Sequence, residues 1–188
     1  QGQTVTVVLH NTLNRKISLI FPGQENVLAD GQPDGPEFSG TTLVSLAKTA
    51  AATNGTVTYS FVAGRPGTFV YQSGTETDIQ VPMGLFGTLV VRPAGHPDWL
   101  YDDASTAFDP NREYVSLLSE VDPALSTAME RNRPFSARNY HPRHWFINGR
   151  GLPVTLAPNY ASWLPGQPYG ALVRITPYHA TLNPLPAA

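Results

Sequence analysis

Three observations predict an all-β fold with short helical or irregular connectors. Runs of four to eight residues alternate apolar and polar side chains with the period of two that a strand with two different faces requires. Turn formers are abundant, with Gly 16 and Pro 18 in 188 residues. Hydrophobic residues make up 41% and charged residues only 14%. That composition favours short strands and long ordered loops over a helical bundle.

The elements follow in order. Val5, Val7 and Leu9 alternate with Thr4, Thr6 and Val8 ahead of the turn Asn11-Thr-Leu-Asn14, giving a first strand. Ile17-Ser-Leu-Ile-Phe21 reads as a second, ended by Pro22-Gly23. From Glu25 to Ser39 the chain is broken by Asp30-Gly31 and Pro33-Asp34-Gly35 and reads as surface loop. Leu43 to Ala52 is either a short helix or an irregular crossing. Thr56-Val-Thr-Tyr-Ser-Phe-Val62 is a clear alternating strand, and Ala63-Gly-Arg-Pro-Gly67 turns it into Gly67-Thr-Phe-Val-Tyr-Gln-Ser-Gly74, in which Thr68, Val70 and Gln72 alternate with Phe69, Tyr71 and Ser73. After a polar loop, Phe86 to Val91 has the apolar, β-branched run of a strand buried on both faces or central in a sheet. Five strands by residue 92 point to a sandwich or barrel.

Arg92-Pro-Ala-Gly95 closes this unit, and His96 to Arg112 reads as an exposed connector. Glu113 to Glu120 resumes as a strand. Asp122 before Pro123-Ala-Leu-Ser-Thr-Ala-Met-Glu130 has the form of an N-cap with proline at the first helical position. Tyr140 to Pro153 carries aromatics and the tight Asn148-Gly149 turn, and Gly170-Ala-Leu-Val-Arg-Ile-Thr176 supplies the last strand. The expected organisation is a domain over residues 1–93, a connector over 94–112, and over 113–188 the start of a second domain or an extension packed on the first.

The formal net charge of −2, without a basic stripe, argues against nucleic-acid partners. The absence of cysteine removes disulfides, thiolate metal sites and cysteine nucleophiles, but leaves the compartment open. No run of about 18 apolar residues suggests a membrane span. The chain starts within a strand pattern and stops without a closing element at Asn183-Pro-Leu-Pro-Ala-Ala188, as expected of a fragment.

The order Asn11-x-Leu13, a strand ending in Gly23, Pro66-Gly-Thr-Phe-Val-Tyr71, Gln80 and Gly84-Leu-Phe-Gly-Thr-Leu-Val-Val91 resembles the N-terminal cupredoxin domain of multicopper oxidases. Tyr114-Val-Ser-Leu-Leu-Ser119 followed by Phe146-Ile-Asn-Gly-Arg150 and Pro153 is similar to the passage into the second domain. The resemblance covers most of residues 4–93 and, more loosely, 112–175. It implies a cupredoxin-like Greek-key β-sandwich, in an enzyme that couples one-electron oxidation of substrates to O₂ reduction at copper. It also implies two His-x-His pairs from this domain for a shared trinuclear copper cluster, because imidazole suits copper and the spacing puts both rings on one face of a strand. In this chain the first pair's positions are Ile20 and Pro22, the second's Gln72 and Gly74. None is an imidazole, and a blue-copper site is excluded by the missing cysteine. The expectation is therefore no catalytic or metal-binding residue and no cofactor in this chain, with copper, further cupredoxin domains or subunits, and an extracytoplasmic location belonging to the intact protein.

Other candidates are weaker. His141-Pro-Arg-His144 is the closest histidine pair, but Pro142 and Trp145 argue for an extended or turn backbone that points the rings apart. His10, His96 and His179 are scattered and read as structural. Asp102 and Asp103, with Asp98 nearby, lack the spacing of a calcium loop. No Gly-x-Ser-x-Gly context supports a hydrolase, and Gly64-Arg-Pro-Gly67 is a turn without the helix of a phosphate loop. Asn54-Gly-Thr56 fits the glycosylation pattern, with a turn as the preferred reading. Tyr140, Trp145, Phe146, Tyr160, Trp163 and Tyr169 are read as core and interdomain packing. Two functions remain: the copper-ligand-free N-terminal part of a multicopper-oxidase-like oxidoreductase, or a non-catalytic cupredoxin-like structural or interaction module, with an apolar patch on the Tyr140–Tyr169 side that a homo-oligomer or partner domains bury.

Overall fold

The computed structural model describes residues 1–113 and 115–152. The chain divides into two compact units, Gln1–Thr106 and Ala107–Ala188. The elements of the first are β1 (Thr4–Asn11), β2 (Leu28–Ala29), β3 (Gln32–Pro33), β4 (Glu37–Ser39), β5 (Thr42–Ser45), β6 (Gly55–Val62), β7 (Gly67–Gln72), a one-turn helix α1 (Thr77–Gln80) and β8 (Phe86–Val91). One antiparallel sheet runs β1-β6-β2-β3, while β7 pairs with β8 and β4 with β5.

The register shows why alternation was readable. β1 and β6 pair without interruption from Thr4↔Val62 to Asn11↔Gly55. Val5, Val7 and Leu9 therefore stand opposite Phe61, Tyr59 and Val57, and all six face inward. From the other layer Tyr71, Leu85 and Leu89 pack against the same core, together with Ile17, Leu19 and Phe21. The result is the expected two-layered sandwich, in which the first strand pairs with one about fifty residues later. Phe21 lies at its centre, with ring centroids 5.5, 5.0 and 6.1 Å from Tyr59, Phe61 and Tyr71.

Several expectations are corrected. Ile17–Phe21 is not a strand of a ladder: it makes isolated bridges, Ile17 to Ala50 and Ile20 to Gln72. Residues 25–39 are more than surface loop, since β2 joins β6 and buries Ala29, and Asp30-Gly31 turns β2 into β3 with both residues at positive φ (49° and 78°). In that turn the Thr58 amide and the Lys48 ammonium hold the Asp30 carboxyl below the usual carboxylate range. For Leu43 to Ala52 the irregular crossing, not the short helix, is what forms: the stretch finishes β5 and then runs irregularly. The polar loop after Gln72 contains α1. Phe86–Val91 is not central: among the described residues β8 pairs with β7 alone, and Phe86, Thr88, Leu89 and Val90 are half-buried.

In the second unit the expected strand at 113–120 is shorter and later, as β9 (Leu118–Val121); it is followed by α2 (Pro123–Glu130), β10 (His144–Ile147) and β11 (Arg150–Gly151). These strands form one antiparallel sheet, β11-β10-β9. The Asp122 cap is as read: its side chain accepts from the Ala124 amide at 2.7 Å, with Pro123 at the first helical position. Asn148-Gly149 is the expected tight turn, with φ of 52° and 74°, joining β10 to β11. The expected strand at Gly170–Thr176, and Tyr114, Pro153, Tyr160, Trp163, Tyr169 and His179, lie outside the described residues.

Candidate functional site

Three of the four positions at which the resemblance places imidazoles, Ile20, Gln72 and Gly74, come together. Ile20 and Gln72 are directly opposite, the Ile20 amide donating to the Gln72 carbonyl at 2.8 Å and the Gln72 amide to the Ile20 carbonyl at 3.1 Å. Gln72 is also paired with Phe86 across the β7–β8 ladder, so its backbone is held on both sides. Gly74 follows, its amide 3.4 Å from the Ser18 carbonyl. Pro22 is exposed beyond Phe21.

These residues do not fit copper. Ile20, Pro22 and Gly74 bring no donor side chain, and Gln72 brings a neutral carboxamide in place of imidazole. Gly74 is also walled in. A Cβ there would lie 2.9 Å from Ile20 Cγ2, 3.0 Å from Ser18 Oγ and 3.4 Å from Leu46 Cβ, so a side chain at this position needs its neighbours to move.

Beneath Gly74 is a polar corner that residue-by-residue reading missed. Ser18, Ser45 and Thr75 are buried, and their hydroxyl oxygens form a triangle with sides of 3.0, 2.8 and 2.9 Å. Ser45 donates to the Ala47 carbonyl at 2.6 Å. Alongside, the Thr75 amide donates to Ser73 Oγ at 3.0 Å, Ser73 Oγ lies 2.7 Å from Gln80 Oε1, and Gln80 Nε2 donates to the Lys16 carbonyl at 2.9 Å. Every one of these groups is neutral, so the corner offers neither a titrating acid or base nor an activated nucleophile. Parity held a partial signal, because Ser73 shares the inward face of Phe69 and Tyr71.

Elsewhere, His10 Nδ1 lies 3.1 Å from Thr56 Oγ1, and His96 stacks on Trp99 with centroids 3.7 Å apart. His141 and His144 are both exposed, the first just before β10 and the second its first residue. Asp102 accepts from the Gln1 carboxamide, and Asp103 caps Ser105, whose bonds hold the Asp103 carboxyl below its usual range. Asn54 closes a turn into β6, its amide donating to the Asn11 carbonyl at 2.7 Å. Among the described residues no three of His, Asp or Glu gather as a metal site would need.

Within the second unit, cross-strand neighbours share a face. Leu118 stands opposite Ile147, and Glu120 opposite Trp145. Leu118, Trp145 and Ile147 are 72%, 67% and 42% exposed. On the same sheet's flank, burial and the neighbouring Glu120 raise the Tyr140 phenol above its usual value.

The comparisons agree with this architecture. A family model described as Multicopper oxidase matches residues 1–96. Among solved structures the chain is similar to Multicopper Oxidase mgLAC, with a TM-score of 0.55 and 17% identity over 82% of this chain and 43% of that one. That likeness speaks for the fold, and the chain spans less than half the length of that protein. No curated protein matches. With more than half of its residues under the family model and a cupredoxin-like sandwich built from them, the chain belongs to the multicopper oxidase family.

Proposed function

We propose that this chain is the N-terminal, copper-ligand-free part of a multicopper-oxidase-like oxidoreductase, in which copper is carried by segments outside it. The intact protein would oxidise its substrate by single electrons and pass them to O₂ at those metals. The chain's own role is scaffold, interface or substrate wall, and alone it is inactive. The observation carrying this reading is Gly74, a donor position on the resemblance, with Ile20, Ser18 and Leu46 closed around it. On the same reading residues 113–188 begin a second cupredoxin-like domain, the remaining partners are further such domains or subunits, and the location is extracytoplasmic.

Metal analysis separates the parts of this proposal. The longest natural form is expected to carry copper, whereas residues 1–188 loaded with Cu²⁺ and dialysed are expected to keep none in stoichiometric amount. Stoichiometric copper on residues 1–188 overturns the ligand-free assignment. A copper-free intact protein overturns the oxidase reading and leaves the alternative, a non-catalytic structural or interaction module. The exposed side chains of Leu118, Trp145 and Ile147, which flank Glu120 on one sheet face, favour that alternative.

A further inference from the structure

We propose that the Ser18–Ser45–Thr75 hydroxyl triangle is a metal-free cross-link closing this corner of the sandwich, and that together with Ile20 it disfavours any side chain at Gly74. The significance for copper rests on the reading above, which makes residue 74 a donor position; the cross-link itself rests on geometry.

Each hydroxyl comes from a different segment. Ser18 sits between the two bridges of the Ile17–Phe21 stretch, Ser45 ends β5, and Thr75 follows β7; the pairs are 27, 57 and 30 positions apart in sequence. Residues Ser18, Ser45 and Thr75 are 0%, 2% and 6% exposed. A buried hydroxyl destabilises the fold unless it is bonded, and here every proton has an acceptor. Ser18 can donate to Thr75, Thr75 to Ser45, and Ser45 to the Ala47 carbonyl, while the Ala47 amide returns a bond to Ser45 Oγ at 3.3 Å. The chain of donors ends on backbone, with no orphaned proton for a metal or a ligand to satisfy. Next to it the Leu46 amide donates to the Gly74 carbonyl at 2.8 Å, so backbone and side chains join the end of β5 to the same loop.

Gly74 couples the cross-link to the donor position. The space its Cβ would enter is bounded at 3.0 Å by Ser18 Oγ, one vertex of the triangle. An imidazole at residue 74 therefore presses first on Ile20 and then on the triangle, and restoring a donor there strains the corner instead of rebuilding a site.

The test uses the full chain and its thermal midpoint, with and without Cu²⁺. Gly74→Ala is expected to lower the midpoint by roughly 2–4 °C or more, Gly74→His by more still, and added Cu²⁺ to recover neither. Ser18→Ala and Thr75→Val are each expected to lower it, and the double variant to fall well short of the sum, because both substitutions break one network. An unchanged midpoint for Gly74→Ala, additive effects of Ser18→Ala and Thr75→Val, or recovery of Gly74→His by Cu²⁺ would overturn the proposal. These outcomes are distinct from copper retained by the unsubstituted chain, which removes the ligand-free reading but leaves the cross-link standing.

Discussion

The corner around Gly74 and the β9–β10–β11 sheet invert the usual placement of residue types. In the first, hydroxyls and a carboxamide lie inside and find partners in one another and in the backbone. In the second, Leu118, Trp145 and Ile147 lie outside, on one face of a three-stranded sheet. A satisfied polar group indoors shows a region whose requirements are met by its own atoms. An apolar face outdoors is soluble only at the expense of ordered water, and covering it is favourable by about 25 cal/mol for each Å² removed from solvent. The difference suggests separate roles to test: the corner serves the fold, and the sheet face is a surface that a neighbour would cover favourably.

The sharpest way to break that comparison lies in the core that supports the closed region. Phe21→Ala removes the ring packed on Tyr59, Phe61 and Tyr71, and should cost about 3–5 kcal/mol in urea unfolding followed by far-ultraviolet circular dichroism. A loss under about 1 kcal/mol would mean that this core collapses readily around a void. Next in size is Tyr59→Phe, at about 1–3 kcal/mol, because the hydroxyl donates to the Lys48 carbonyl at 2.6 Å and accepts from the Leu19 amide at 3.1 Å. Burial pushes this phenol up to about 12. Its proton is thus held by the folded chain after the unfolded one has lost it. Tyr59's contribution is complete below about pH 10 and falls as pH climbs toward 12, and the phenylalanine variant should flatten that alkaline limb.

In the second unit Asp122→Asn should have a smaller effect, full near neutral pH and fading as the pH falls. The His141 amide, and then those at the start of α2, hold the Asp122 carboxyl below its usual range against burial, which acts the other way. The stabilisation is present above the unfolded carboxylate's pKa and is lost as pH falls through the lower folded value, so a denaturation curve taken from pH 5 downward should lose this component in the variant. Smallest of all should be Leu118→Lys and Trp145→Lys, within about 0.5 kcal/mol for folding because both side chains are exposed. They should nevertheless reduce any concentration-dependent light scattering of the full chain. A large folding cost for either would show that the face is already covered.

What the sequence disclosed was local chemistry. β1, β6 and β7 were legible because alternation is imposed by the pleat itself, and the Asp122-Pro123 cap and Asn148-Gly149 turn because each is set by a few adjacent residues. What it concealed depended on distant partners. Leu28–Ala29 is too short for any period and becomes a strand only through Ser60 and Tyr59 of β6. Ile17–Phe21 has a strand's composition, but its partners at Ala50 and Gln72 engage it at single points. Phe86–Val91 is apolar enough for a central strand, yet pairs on one side among the described residues. At the candidate site the absent imidazoles were plain from Ile20, Pro22, Gln72 and Gly74. The hydroxyl triangle was not, because Ser18, Ser45 and Thr75 carry no pattern linking them until the fold places them within 3.0 Å.

Asp122 has a consequence for motion. One carboxylate oxygen accepts from Ala124 at the start of α2 and the other from His141, nineteen positions along the chain. The two amides share an anchor, so fraying the helix start releases the approach to β10 at the same time. In hydrogen exchange they should open together as a single cooperative unit, with matched protection that Asp122→Asn uncouples.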